Sequence, residues 1–147
     1  MHATRHHPAD YPRRILVAVT GLSPQIVTET LYALAVAPAE RAFVPTEIHL
    51  ITTGNGAEKA RLALLSNDPG WFHHLCRDYA LPPIRFDAGT IHVLGAGDGV
   101  ALDDIRSPED NRRAADDITA VIREFTADPD CALHVSIAGG RKTMGFF

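Results

Sequence analysis

The stretch that most constrains this chain is Ile15-Leu16-Val17-Ala18-Val19, an unbroken apolar run followed at once by Thr20-Gly21-Leu22-Ser23-Pro24. A strand with one face in water alternates apolar and polar residues. An unbroken run instead fits a strand buried on both faces, as in a parallel sheet covered by helices. The turn that follows places Ser23 as a natural N-cap and Pro24 at the first helical position. Val27, Leu31, Leu34 and Ala35 then recur at helical spacing, and Pro38 and Pro45 mark the stop. The unit is strand, turn, helix.

The unit repeats. Ile48-His49-Leu50-Ile51 is a second apolar strand ending in Thr52-Thr53-Gly54-Asn55, and residues 57–65 read as a helix. Asp68-Pro69-Gly70 punctuates, a helix spans 71–79, and Leu81-Pro82-Pro83 breaks it. Ile91-His92-Val93-Leu94 is a weaker strand and Gly95 to Asp104 a loop. Ser107-Pro108-Glu109-Asp110 has the form of a capping box opening a long helix, with an apolar stripe of Ala114, Ile118, Val121 and Phe125. Leu133-His134-Val135-Ser136-Ile137 is the last strand. Parallel neighbours need crossover helices, so this alternation predicts an α/β, Rossmann-like three-layer fold with a mostly parallel central sheet. Residues 1–12 are expected to be a disordered tail and residues 13–147 one domain. The chain ends at Gly145-Phe146-Phe147 just after its last strand, which points to a domain lacking its C-terminal element.

Composition narrows the function classes. A formal net charge of −4 disfavours a nonspecific binder of duplex nucleic acid, which needs a broad basic face, so any anion site must be local. No apolar run reaches the roughly 18 residues of a membrane span, and the first residues lack the apolar centre of a signal peptide. Cys76 and Cys131 are far apart, form no CxxC pair and are expected to be buried, reduced thiols, which suits a cytoplasmic protein. No metal site is expected. His2, His6 and His7 lie in the tail, and the adjacent His73 and His74 point to different sides of a helix.

In open parallel α/β sheets ligands bind beyond the carboxyl ends of the strands. Three segments there are small and polar: 20–25, 52–55 and Ala138-Gly139-Gly140-Arg141-Lys142-Thr143. In the third, Gly139-Gly140 permits close backbone approach, and Arg141 and Lys142 fall at an expected helix N-terminus. Cations there oppose the helix dipole unless a phosphate sits between them. The plainer alternative is an ordinary turn with two solvated charges. No phosphate loop of the G-x-x-x-x-G-K-[ST] form and no G-x-G-x-x-G fingerprint occurs. Ser23 lacks the G-x-S-x-G context of an acyl-enzyme nucleophile, so a cap that can also contact a ligand is its expected role. Asp103, Asp104, Arg106 and Asn111 surround the start of the long helix. Structural capping is one account of them and a ligand role for Arg106 another.

Residues 15–31, Thr52-Thr53-Gly54, Asp103-Asp104-Ile105-Arg106 and 136–144 together resemble the CRISPR-associated ring nucleases with a CARF (CRISPR-associated Rossmann-like) fold. The resemblance implies a homodimer whose strand rims face each other across a two-fold axis and hold cyclic tetra-adenylate, the second messenger of type III CRISPR systems. It implies metal-independent cleavage, by attack of a ribose 2′-hydroxyl on the adjacent phosphate, to linear di-adenylate with a 2′,3′-cyclic phosphate. By resemblance Ser23 and Lys142 are the catalytic residues. Ser23 would orient ribose or phosphate, and Lys142 would stabilise charge on the phosphorane. Thr20, Gly21, Gln25, Thr52, Thr53, Gly54, Arg106, Gly139, Gly140, Arg141 and Thr143 would bind the ligand, with no cofactor. These motifs hold no histidine, so the general acid and base are unassigned and slow turnover is expected. Two other readings stay open: a sensor domain that binds the messenger without cutting it, and a generic mononucleotide- or dinucleotide-binding Rossmann-like enzyme.

Overall fold

A computed structural model describes residues 7–38, 41–95 and 108–137. Four strands form one all-parallel sheet: β1 (Arg13–Val19), β2 (Glu47–Thr52), β3 (Ile91–Val93) and β4 (Cys131–Ile137), in the order β3-β2-β1-β4. Between them lie α1 (Gln25–Leu31), α2 (Gly54–Ala60), α3 (Trp71–Asp78) and α4 (Pro108–Thr126). α1 and α2 each run on into one π-helical turn, Tyr32–Val36 and Arg61–Leu65.

The unbroken apolar run does what its composition demands. Ile15, Val17 and Val19 face one side of the sheet and pack with Ala114, Ile118 and Phe125 of α4. Leu16 and Ala18 face the other, with Val27 and Leu31 of α1, Ala60 and Leu64 at and after α2, and Phe72 of α3. All five residues from Ile15 to Val19 are inaccessible to solvent. At about 25 cal/mol per Å² of apolar surface removed from water, these two clusters supply the main drive for folding. The result is the expected three-layer α/β arrangement.

The layering follows from chain direction. From β1 through β2 to β3 the chain steps one way across the sheet, with α1, α2 and α3 on one face. From β3 to β4 it steps back past β1, and a right-handed crossover then puts α4 on the opposite face.

Three details differ from the sequence reading. Pro24, not Ser23, holds the cap position of α1, and no side chain caps that helix. The Ser23 carbonyl accepts the Thr20 hydroxyl at 3.0 Å instead, and also the Ile26 amide. α2 begins at Gly54 rather than at residue 57, because the Thr53 hydroxyl accepts from the Gly56 amide at 3.2 Å and caps it. Both cysteines are free but only half-buried. Burial still pushes each thiol up, and Cys131 donates to Asp128 at 3.5 Å, so neither is poised as a thiolate. Within the tail, Pro8–Asp10 forms a 3-10 turn capped by His7. The capping box at residue 107 lies outside the described residues.

Candidate functional site

The strand order reverses between β1 and β4, so the carboxyl ends of these two neighbours flank the crevice where open α/β sheets place ligands. The loops after β1 and β2 meet there side by side. The Thr20 amide donates to the Ile51 carbonyl at 3.1 Å, which carries the ladder one step past β1. The Thr52 hydroxyl donates to the Gly21 carbonyl at 3.0 Å and ties the second loop to the first. The Leu94 amide donates to the Thr52 carbonyl at 2.8 Å, and the Gly95 amide to Asp117 of α4 at 2.6 Å, so the end of β3 joins the same rim.

These bonds divide the expected ligand residues into two groups. Thr20 and Thr52 are buried, at 1% and 0% exposure, with both hydroxyls donating to backbone carbonyls. They shape the loops. Thr53, also buried, is engaged as the cap of α2. Gly21, Ser23 and Gly54 are partly accessible and Gln25 is exposed, while Leu22 stands out at 56% exposure. The accessible polar groups among the described rim residues are therefore backbone groups, the Ser23 hydroxyl and the side-chain amides of Gln25 and Asn55. Arg106, Gly139, Gly140, Arg141, Lys142 and Thr143 lie outside the described residues. The chain leaves β4 at Ile137, which is paired with Val19, at the same edge as the β1 loop.

Two residues that the sequence did not single out hold this rim. A Cβ added to Gly56 would fall well inside van der Waals contact of the Thr52 hydroxyl and the Gly21 carbonyl, so only glycine lets α2 pass this close beneath the joined loops. A glycine inside a helical pattern was the available signal, since it costs roughly 1 kcal/mol against alanine unless packing requires it. Asp117 gave no signal, because it reads as one more charge on the polar face of α4.

A second polar cluster starts at the amino ends of β1 and β2, on the α4 face, and runs through His49 to His92 of β3. Arg13 holds Glu47 through two bonds, Nε to Oε2 at 2.7 Å and Nη2 to Oε1 at 3.2 Å, reaches Asp128 at 3.3 Å, and lies over the Phe125 ring. Glu47 also meets Nε2 of the buried His49 at 3.1 Å, and His49 Nδ1 is 2.9 Å from His92 Nε2. Each N–H finds an acceptor if His92 donates to His49 and His49 to Glu47. The Arg13 guanidinium holds the Glu47 carboxyl below its ordinary value, and Glu47 in turn raises Arg13. Burial lowers His92, the adjacent His49 lowers it further, and Glu124 opposes both. Among the described residues no group of three or more His, Cys, Asp or Glu is arranged to hold a metal ion. The cluster cross-links β1, β2, β3 and the end of α4, and its last member, His92, is paired with Ile51, one residue before the rim residue Thr52.

An open parallel sheet, helices on both faces and small polar loops gathered at the switch point define a Rossmann-like α/β protein. The chain belongs to the family described as CRISPR-associated protein NE0113, which matches residues 23–147, from the loop after β1 onward. No curated protein matches the chain in sequence. Among the described residues no helix is long and apolar enough to cross a membrane.

Proposed function

We propose that this chain binds cyclic tetra-adenylate at the rim formed by the β1 and β2 loops, in a homodimer, and cleaves it without a metal, switching off type III CRISPR signalling. The observation that carries this reading is the joined pair of loops beside the β1/β4 switch point, in a member of a CRISPR-associated family. These loops offer backbone amides and neutral side chains, which suit ribose and phosphate oxygens.

The chemistry asked of the protein is modest. A ribose 2′-oxygen attacks the adjacent phosphorus, the 2′-hydroxyl proton departs, and the 5′-oxygen leaves and takes up a proton. Each cut leaves a 2′,3′-cyclic phosphate and a 5′-hydroxyl, and two cuts give two linear di-adenylates. Because the nucleophile is internal, alignment supplies much of the acceleration. Ser23 orients the ribose or the phosphate. Lys142 stabilises the phosphorane, and Gly139, Gly140 and Arg141 cradle phosphate. Gln25 and Gly54 complete the rim, Arg106 and Thr143 add ligand contacts, and Thr20, Thr52 and Thr53 hold the loops in place.

A second reading, a sensor that binds the messenger and leaves it intact, is favoured by one feature. No titratable side chain stands on the β1 and β2 loops, 20–25 and 52–55, to move a proton. Incubation of the protein with cyclic tetra-adenylate in EDTA, with chromatography of the products, separates the readings. Linear di-adenylate, lost in Lys142→Ala and reduced in Ser23→Ala, is the expected result. Binding without product makes the chain a sensor, and absence of both overturns the oligoadenylate reading.

A further inference from the structure

A cleft of about 560 Å³ lies between α1, the π turn after α2, and α3, on the sheet face opposite α4. Its volume falls within the roughly 300–1,000 Å³ of small-molecule sites. Trp71, at 56% exposure, stands on its wall with the His74 ring 5.5 Å away, and Tyr79 lies edge-on to Tyr32 at 5.6 Å. Exposed aromatic faces beside a cavity are surfaces on which a flat ring can stack. Polar side chains in the lining are Asp78, Gln25, Thr28, His74 and, at the edges of their rings, Tyr79 and Trp71, and neither lysine nor arginine lines it. The Asp78 carboxylate repels a phosphate and accepts from an amino group. Thr28 donates to the Gln25 carbonyl at 3.1 Å and keeps its lone pairs free to accept.

We propose that this cleft binds an amino-bearing nucleobase, stacked on Trp71, with its amino group donating to Asp78 and its ring edge met by the Gln25 amide. Gln25 and Pro24 belong both to the cleft and to the chain entering α1 after the β1 loop, so a base here lies beside the rim. The base arrives either on a free nucleotide or as one base of a cyclic oligoadenylate, and in the second case the inference rests on the function proposed above.

Trp71 is the chain's single tryptophan, so its emission reports this cleft alone. Titration of the whole protein with adenosine, uridine and cyclic tetra-adenylate tests the proposal. Saturable quenching is expected from adenosine, with uridine weaker because it lacks the amino group. Asp78→Ala weakens adenosine about tenfold, the scale of a charge-assisted hydrogen bond. Trp71→Leu, followed through adenosine's own proton resonances, weakens it by about tenfold, the scale of one stacked base. Quenching by cyclic tetra-adenylate identifies the messenger as a source of the base. Quenching by adenosine when the cyclic ligand does not bind leaves the cleft in place and removes the oligoadenylate reading. If neither adenosine nor the cyclic ligand quenches saturably, or if uridine quenches equally and Asp78→Ala changes nothing, the proposal is overturned.

Discussion

The Thr52 hydroxyl donates to the Gly21 carbonyl at 3.0 Å, joining the loop after β2 to the loop after β1 from a buried threonine to a half-buried glycine. Thr52→Val keeps the shape and deletes the donor. Leaving the carbonyl without this partner costs about 1–3 kcal/mol, to be read as a lower midpoint in urea unfolding. The same variant should weaken any ligand bound at the rim, although Thr52 itself is enclosed.

Gly56→Ala opposes helix propensity to packing. Propensity favours alanine by up to about 1 kcal/mol, while overpacking costs about 1–3 kcal/mol. Packing wins here because the new methyl meets a backbone carbonyl and an enclosed hydroxyl. The expected result is a lower melting temperature. A higher one would show that α2 can move away from the rim.

Ser23→Ala separates a cap from a ligand contact. Loss of an N-cap hydroxyl costs about 1 kcal/mol, but no side chain caps α1. Stability should therefore change by less than about 0.5 kcal/mol, while cleavage of cyclic tetra-adenylate falls.

Ala80, just after α3, has a φ of 50°. Ala80→Gly removes left-handed strain of roughly 1–2 kcal/mol and gives back part of it through a more flexible unfolded chain. A net gain of up to about 1 kcal/mol is expected in thermal unfolding.

The dependence on pH follows from Glu47, His92 and His134. Burial lowers both histidines in the fold, so the unfolded chain binds more protons below their ordinary value of 6.5. Their stabilisation is fully present above 6.5 and is lost as pH falls toward the folded values. Glu47, held low by Arg13, adds stability above its ordinary 4.5 that disappears as pH falls through its folded value. All three act in one direction, so acid destabilises in two stages. His92→Gln should flatten the first stage in part, with the His134 share remaining. Glu47→Gln should flatten the second and lower stability at neutral pH by leaving Arg13 without its main partner.

The sheet was legible because Ile15 to Val19 leave no polar face, and the alternation of strands with helices fixed their parallel sense. The rim loops were legible as the segments that follow strands. The direction of each threonine was not. Nothing in the apolar pattern shows how the residues at a strand's end are bonded, so the burial of Thr20 and Thr52 and the bonds of their hydroxyls to backbone carbonyls could not be read from it. The π turns at 32–36 and 61–65 escaped because shifting one hydrogen-bond step leaves the apolar spacing nearly unchanged. His49 interrupting an apolar strand was a visible sign of an enclosed polar partner; Glu47, two residues earlier in the same strand, shares its face by periodicity, but His92 could not be matched to it without the register of β2 against β3.

Among the described residues the interior strand β1 comes first in the chain, and one of its two partners, β4, comes last. Val17 bonds its neighbours beside His49 early in synthesis, yet its other edge waits for Val135. Until then β1 presents an open row of backbone donors and acceptors with apolar side chains above and below, the form of surface that recruits stray strands. A ribosome translating this protein therefore holds its most aggregation-prone segment unfinished from Val17 until Val135 has been made, and growth temperature and chaperone supply should govern its yield more than its final stability does.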